Sequence, residues 1–217
     1  MTAPQKTTPL SRWHALHGAQ VEDGLVRGTP STPTLGLTDL TALARLGFKG
    51  ADTPTWLQAA GWQLPEMPNQ ACWNDDVLTL RLSQTEFLLV ASNESAAHQL
   101  VRLRQAWSQD LAERVYLLER GHSHACFAVT GDYASDCFAK LCAVDLRDKH
   151  FDYLALAQTS VARSNGIIVR VHEDSSPHFL FLADLTASEY LWTSLMNAAL
   201  EYDGGNLAYP EYLLKIQ

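Results

Sequence analysis

Apolar and polar residues sort into short alternating runs and longer stretches at helical spacing. Leu35-Gly-Leu37-Thr-Asp39-Leu40 alternates and predicts a strand, with a shorter one over Leu43–Phe48. A helix is expected from Thr53, since threonine is a good N-cap and Pro54 suits the first helical position. It runs through Trp56, Leu57, Ala59 and Ala60 to a stop at Gly61. Val77–Leu82 and Glu86–Ala91 read as a hairpin across Ser83–Thr85. A long helix follows from Glu94 to about Ala112, with Leu100, Leu103, Trp107 and Leu111 on one stripe.

The second half follows the same plan. Val115–Glu119 and His124–Thr130 read as strands and Asp132–Cys142 as a helix. Leu156–Ala162, Gly166–His172 and His178–Asp184 read as strands, the last two facing each other across Glu173–Pro177. A final helix opens at Thr186, with Glu189 placed for a capping box, and ends at Gly204-Gly205. A repeated strand–helix–hairpin–helix unit implies two packed α+β halves. The predicted division is a Pro/Thr-rich arm over 1–34, then one domain over 35–217. That domain holds pseudo-repeats over about 35–112 and 113–203 and a short C-terminal tail. The arm reads equally as a floppy terminus or as a segment lying on a partner, and Trp13–Gly18 is an amphipathic piece able to dock.

Composition narrows the function classes. The chain has 217 residues, 47% of them hydrophobic, and a net charge of −8, so clustered cations for nucleic acid or an anionic membrane are not expected. The longest apolar runs, such as Phe87–Ala91 and Phe179–Ala183, fall far short of the roughly 18 residues of a membrane span. The N-terminus lacks the apolar core of a secretory signal. Cys72, Cys126, Cys137 and Cys142 form no CxxC, which predicts unpaired thiols in a reducing, cytoplasmic setting.

Few residues carry recognisable chemistry. There is no G-x-S-x-G, G-x-G-x-x-G or H-E-x-x-H. Gly47-Phe-Lys-Gly50 reads as a strand-to-helix turn rather than a phosphate loop. His122, His124 and Cys126 would share one face of a strand, giving three metal ligands without an evident fourth. Asn74-Asp75-Asp76 before the Val77 strand is the one polar cluster placed like a site, either a pair of acids in a cleft or a solvated turn. Trp56, Trp107 and Trp192 read as core, while Trp73 sits where it could line a pocket.

An ordered set of segments resembles the gamma subunit of heterotetrameric sarcosine oxidase. They are Leu43–Gly50 with Trp56-Leu57, Leu80–Val90, Ser123-His124 leading to Val129-Thr-Gly131, Phe138–Leu146, Phe151, Ala157-Gln158-Thr159 and Ser188–Trp192. That family is similar to the folate-binding domain of the glycine-cleavage aminomethyltransferase. The resemblance implies an α+β fold of two intertwined ferredoxin-like halves, with no room for the transferase's C-terminal barrel. It also implies that Asp75 and Asp76 match the transferase's adjacent aspartates, one of which contacts folate. Ala162–Ile167 departs from the pattern, lacking the glutamate that helps hold the pterin, and lacks as well the lysine-glycine-cysteine of the iron–sulfur repair relatives. The implied role is a non-catalytic subunit that stabilises an enzyme demethylating sarcosine and passing the one-carbon unit to tetrahydrofolate. Tetrahydrofolate, FAD, FMN and NAD would then sit in partner subunits, foremost the large flavin- and folate-binding chain, and isolated copies could form a homodimer. No residue here is assigned a catalytic, cofactor or metal role. The alternative is a stand-alone folate-binding or aminomethyltransferase-like protein using Asp75, with Trp73 stacking on the pterin.

Overall fold

The computed structural model describes residues 7–31, 33–108, 113–173 and 177–210. In chain order the elements are α1 (Ser11–Leu16), β1 (Gln20–Glu22), β2 (Leu25–Gly28), β3 (Leu35–Asp39), β4 (Arg45–Lys49), α2 (Thr53–Ala59), β5 (Gln70–Asn74), β6 (Val77–Arg81), β7 (Glu86–Ala91), α3 (Glu94–Ala106) and β8 (Tyr116–Leu118). They continue as β9 (His124–Thr130), α4 (Ala134–Ala139), β10 (Leu156–Val161), β11 (Ser164–Arg170), β12 (His178–Asp184), α5 (Ser188–Ala199) and β13 (Gly204–Asn206). The fold is mixed α+β with three open sheets of two, five and six strands. Two compact units interleave in sequence: an inserted unit over Leu43–Ser123 with Leu154–Leu156, and a split unit made of the described chain on either side.

In the inserted unit the strand order is β5-β6-β7-β4-β8, antiparallel throughout. Register places Leu46, Phe48, Val77, Phe87, Leu89 and Ala91 on one face, where α2 and α3 cover them with Leu57, Ala96, Leu100 and Leu103. Each fully buried leucine, valine or phenylalanine among them contributes about 1.5–3 kcal/mol. Asn93 caps α3, its side chain accepting from the Ala96 N–H at 2.9 Å. Gly50 ends β4 with φ 137°, and a Cβ there would lie 2.0 Å from the Arg114 carbonyl oxygen.

In the split unit the order is β10-β11-β12-β9-β3-β13, with β13 parallel to β3. Register puts Phe127, Phe179 and Phe181 on one face. Phe138 of α4 and Trp192 of α5 meet them edge-on at 5.2–6.0 Å between ring centroids. Both units therefore run strand, helix, three strands, helix, strand. The two sheet orders correspond position for position, except that β3 is interpolated between β9 and β13.

Several sequence expectations need correction. The repeats span β4–β8 and β9–β13 and contain a strand, β5, that the pattern did not reveal. The compact units follow neither the 112/113 boundary nor the 34/35 one. Residues 8–28 are packed rather than trailing: Leu10 and Val26 are buried, and α1 and the β1–β2 hairpin belong to the split unit. Asp52, not Thr53, is the N-cap of α2, and Thr53 is buried instead. The capping box at Thr186 does not form; Asp184 accepts from the Thr186 N–H and α5 begins at Ser188. Gly204 and Gly205 lie in β13, and Gly47 lies inside β4. The predicted helix to Ala112 is observed to Ala106, with Leu111 and Ala112 outside the described residues, and the one over Asp132–Cys142 contracts to α4. Thr32, the centre of the Glu173–Pro177 turn and the C-terminal tail also lie outside the described residues.

Candidate functional site

The Asn74-Asp75-Asp76 cluster is the tip of the β5–β6 hairpin. Asn74 pairs with Val77, leaving Asp75 and Asp76 as a two-residue loop, with Asp75 in the left-handed region at φ 49°. The Asp76 carbonyl accepts from the Ser92 N–H at 3.0 Å and the Ser92 hydroxyl at 2.8 Å. Both acids are exposed at this turn, and Asp75 also borders a cleft. Asn74 has a different task. Its Oδ1 accepts from the Gln63 N–H at 2.7 Å, and its Nδ2 donates to the Gln63 carbonyl at 3.0 Å and to Thr79 Oγ1 at 3.0 Å. The side-chain amide thus acts as a surrogate strand for the backbone of Gln63.

This pairing shapes a cleft of about 760 Å³ inside the inserted unit. Helix α2 ends in a Schellman motif: Gly61 (φ 88°) donates to the Gln58 carbonyl and Trp62 to the Leu57 carbonyl, both at 3.0 Å. The chain then turns past Trp62 and Gln63 to meet Asn74, and Gln99 and Arg102 of α3 line the cleft beside Asp75. Trp73 also borders it, although register places its side chain on the sheet face opposite Asn74. Sequence reasoning found Gly61, Asp75 and Trp73 but missed Trp62, Gln63 and Arg102. Without β5 there was no hairpin tip to bring these segments together.

Ala162–Ile167 lies in the split unit as the β10–β11 hairpin. Ala162 (φ 46°) and Arg163 (φ 65°) both adopt the left-handed conformation. Ala162 donates to the Leu141 carbonyl at 2.8 Å and accepts from the Tyr190 hydroxyl at 2.9 Å. Asn165, Asp184 and His124 border a second cleft of about 510 Å³ near this tip. The Thr186 hydroxyl, then its N–H, hold the Asp184 carboxyl below the usual carboxylate range against the opposing effect of burial, with a smaller contribution from nearby His124. A carboxylate thus borders each cleft, Asp75 in the inserted unit and Asp184 in the split unit.

A polar cluster that the sequence did not signal lies in the core of the split unit. His14 and Asp39 are both 0% exposed, with His14 Nε2 3.1 Å from Asp39 Oδ2. The Thr8 hydroxyl donates to the same Asp39 oxygen, and the Thr41 N–H donates to Asp39 Oδ1 at 3.0 Å. Asn206 Nδ2 lies 3.1 Å from His14 Nδ1, tying α1, β3 and β13 together.

Among the described residues, no three His, Cys, Asp or Glu side chains are grouped so as to hold a metal ion. His122 falls in a single 3₁₀ turn before β9, so it does not share a strand face with His124 and Cys126. None of the four cysteines is in a disulfide. Cys126, Cys137 and Cys142 are buried in the split unit, and burial pushes the Cys137 thiol up to about 11. Cys72, half-buried in the inserted unit, is raised by the same desolvation. No helix among the described residues is long and apolar enough to cross a membrane.

Comparison with known proteins places these features in context. Residues 32–209 match the GCVT N-terminal domain family. Among curated proteins there is no match. The fold is similar to a chain of heterotetrameric sarcosine oxidase from Corynebacterium sp. U-96, with a TM-score of 0.69, 20% identity, and coverage of 93% of this chain and 98% of that one. It is also similar to the glycine cleavage system aminomethyltransferase T from Bartonella henselae, with a TM-score of 0.65 and 18% identity. There 94% of this chain covers 60% of the other.

Proposed function

Because the chain belongs to the GCVT N-terminal domain family, we propose that it serves as a gamma-type, non-catalytic subunit of a heterotetrameric sarcosine oxidase. The observation that carries this reading is end-to-end coverage. The chain spans 98% of the sarcosine oxidase chain but only 60% of the aminomethyltransferase. In that role it contributes surface and stability in the cytoplasm to a complex that oxidatively demethylates sarcosine and hands the one-carbon unit to tetrahydrofolate. The larger partner chains hold FAD, FMN, NAD and folate. The two hairpin tips agree with this division of labour: the loop at Asp75-Asp76 is a turn, and the loop at Ala162-Arg163 carries no acid.

Co-expression with the neighbouring genes tests the reading. The chain is expected to co-purify with a large flavin-containing partner in fixed stoichiometry. A well-behaved monomer that ignores such a partner would overturn it. Titration of the isolated chain with tetrahydrofolate separates the alternative, since tight binding abolished by Asp75→Ala would make it a folate protein in its own right.

A further inference from the structure

We propose that the surface where α4 meets the 3₁₀ turn after α5, Leu200–Tyr202, is a docking site for an arginine side chain of a partner protein. Tyr133 and Tyr202 stack there, with ring centroids 5.0 Å apart and planes inclined by 13°. Stacking covers one face of Tyr133, yet the residue is 45% exposed, so the rest of its ring faces solvent. The Tyr202 end of the pair already receives a cation from this chain, the Lys140 ammonium lying 4.6 Å from the ring centroid. A tyrosine face attracts cations through its quadrupole, and a planar guanidinium also stacks on it.

Charge defines the occupant. Asp132 precedes Tyr133 and Asp136 lies one turn beyond it, while Glu201 and Asp203 flank Tyr202. Burial first, then Glu201 and Asp136, push the Tyr202 hydroxyl up against the pull of Lys140, so the Asp136 charge reaches the ring pair. The cations nearby are already engaged. Lys140 donates to Glu201 at 2.6 Å and to the Ala198 carbonyl at 3.0 Å, and Arg147 donates to both oxygens of Asp145. Among the described residues the side chains of Asp132, Asp136 and Asp203 make no ion pair or hydrogen bond. An exposed ring beside an uncompensated carboxylate receives a guanidinium twice, its plane on the ring and its fork on the carboxylate. A lysine ammonium offers a point charge alone. The net charge of −8 favours the approach of such a cationic group. The whole surface lies within the split unit, and its occupant is specified by the guanidinium alone, so the proposal stands apart from the subunit role.

An NMR titration of the full chain, with ring-labelled tyrosine, tests it. The probe is acetyl-Gly-Arg-Gly-amide, whose capped ends leave the guanidinium as its one charge, and the same peptide with citrulline or lysine serves as control. Saturable shifts at the Tyr133 and Tyr202 rings are expected with the arginine peptide, with the citrulline peptide about tenfold weaker. Tyr133→Ala and Asp136→Asn should each weaken binding by about threefold or more, while Tyr133→Phe, which keeps the ring, should stay within about twofold of the parent. Both positions are exposed, so the thermal midpoint should not move. No saturable shift up to about 50 mM arginine peptide, a citrulline or lysine peptide that binds as well, or an affinity that Tyr133→Ala leaves untouched would each overturn the proposal. Shifts at Tyr133 that grow with protein concentration alone would give this face to a second copy of the chain and overturn it as well.

Discussion

The two units share one strand order yet secure themselves by opposite means. The inserted unit packs an apolar core and carries exposed pairs in Arg114–Asp52 and Arg104–Glu119, with Arg45 and the Arg120–Glu86 pair its more buried charges. Exposed pairs of this kind are worth about 0–1 kcal/mol each. The split unit buries its polar contacts, with Asp39 accepting from Thr8, Thr41 and His14 in the absence of solvent. The difference follows from β3. That strand has no counterpart in the inserted unit and is held by segments distant in sequence, α1 and β13, where directional polar contacts fix a register that apolar contacts alone would leave loose.

Asp39→Ala should break the contrast most strongly. It strands His14 and Thr8 in the core, and a loss of about 3–5 kcal/mol is expected in denaturant unfolding. A loss under 1 kcal/mol would reduce the buried cluster to the rank of a surface pair. Gly50→Ala is next, because a Cβ would overlap the Arg114 carbonyl oxygen at 2.0 Å. A cost of about 2–3 kcal/mol is expected from a forced left-handed backbone and a displaced strand end. Faster labelling of Cys72, with Cys126, Cys137 and Cys142 unchanged, would locate the damage in the inserted unit.

The hairpin tips sharpen the comparison at smaller amplitude. One tip uses Asp75, a residue that tolerates the left-handed region, while the other forces Ala162 and Arg163 into it. Replacing Ala162-Arg163 by Asn-Gly should therefore stabilise the protein by about 1 kcal/mol, measured as a raised unfolding midpoint. The smallest effect concerns acid. The Asp184 pKa is lowered in the folded state by its Thr186 hydrogen bonds. Its contribution is present above the unfolded carboxylate value of about 3.9 and is lost as pH falls through the lower folded value. Thr186→Val should raise the Asp184 pKa in an NMR titration and shrink that acid-side loss. An unmoved titration would show that the hydroxyl does not hold the carboxylate.

Long alternating or helical runs were legible from the sequence. The strands at Val77, Glu86, His124 and His178 and the helix from Glu94 all stand within a residue or two of expectation at their N-terminal ends. What escaped was structure set by distant partners. Strand β5 mixes Gln70, Ala71, Cys72, Trp73 and Asn74 with no clean period, and its outer edge is held by distant backbone, Ala71 donating to the Leu154 carbonyl and Gln70 bridging to Ala155. Strand β13, Gly-Gly-Asn, carries no strand signal and exists because β3 accepts it. The N-terminal segment looked unstructured because its Pro/Thr composition is turn-like, yet His14 and Thr8 find their partner 25 and 31 residues away. The cleft was half legible for the same reason: Asp75 was visible as a polar cluster, but Arg102 reads as one more exposed helical charge until the fold places it beside that cluster.

The interpolated strand also sets the order in which the polypeptide can mature on the ribosome. The inserted unit is nearly continuous in sequence, so it can close as soon as its own residues emerge. Strand β3 leaves the ribosome earlier but must wait for β9, since Thr130 meets Gly36 across 94 residues, and for the Asn206–His14 contact across 192. Such long loops make that sheet the slow step of folding. During synthesis the nascent chain therefore carries a finished unit flanked by an unpaired β3, a strand edge open to chaperones or to other chains until the last tenth of the protein arrives.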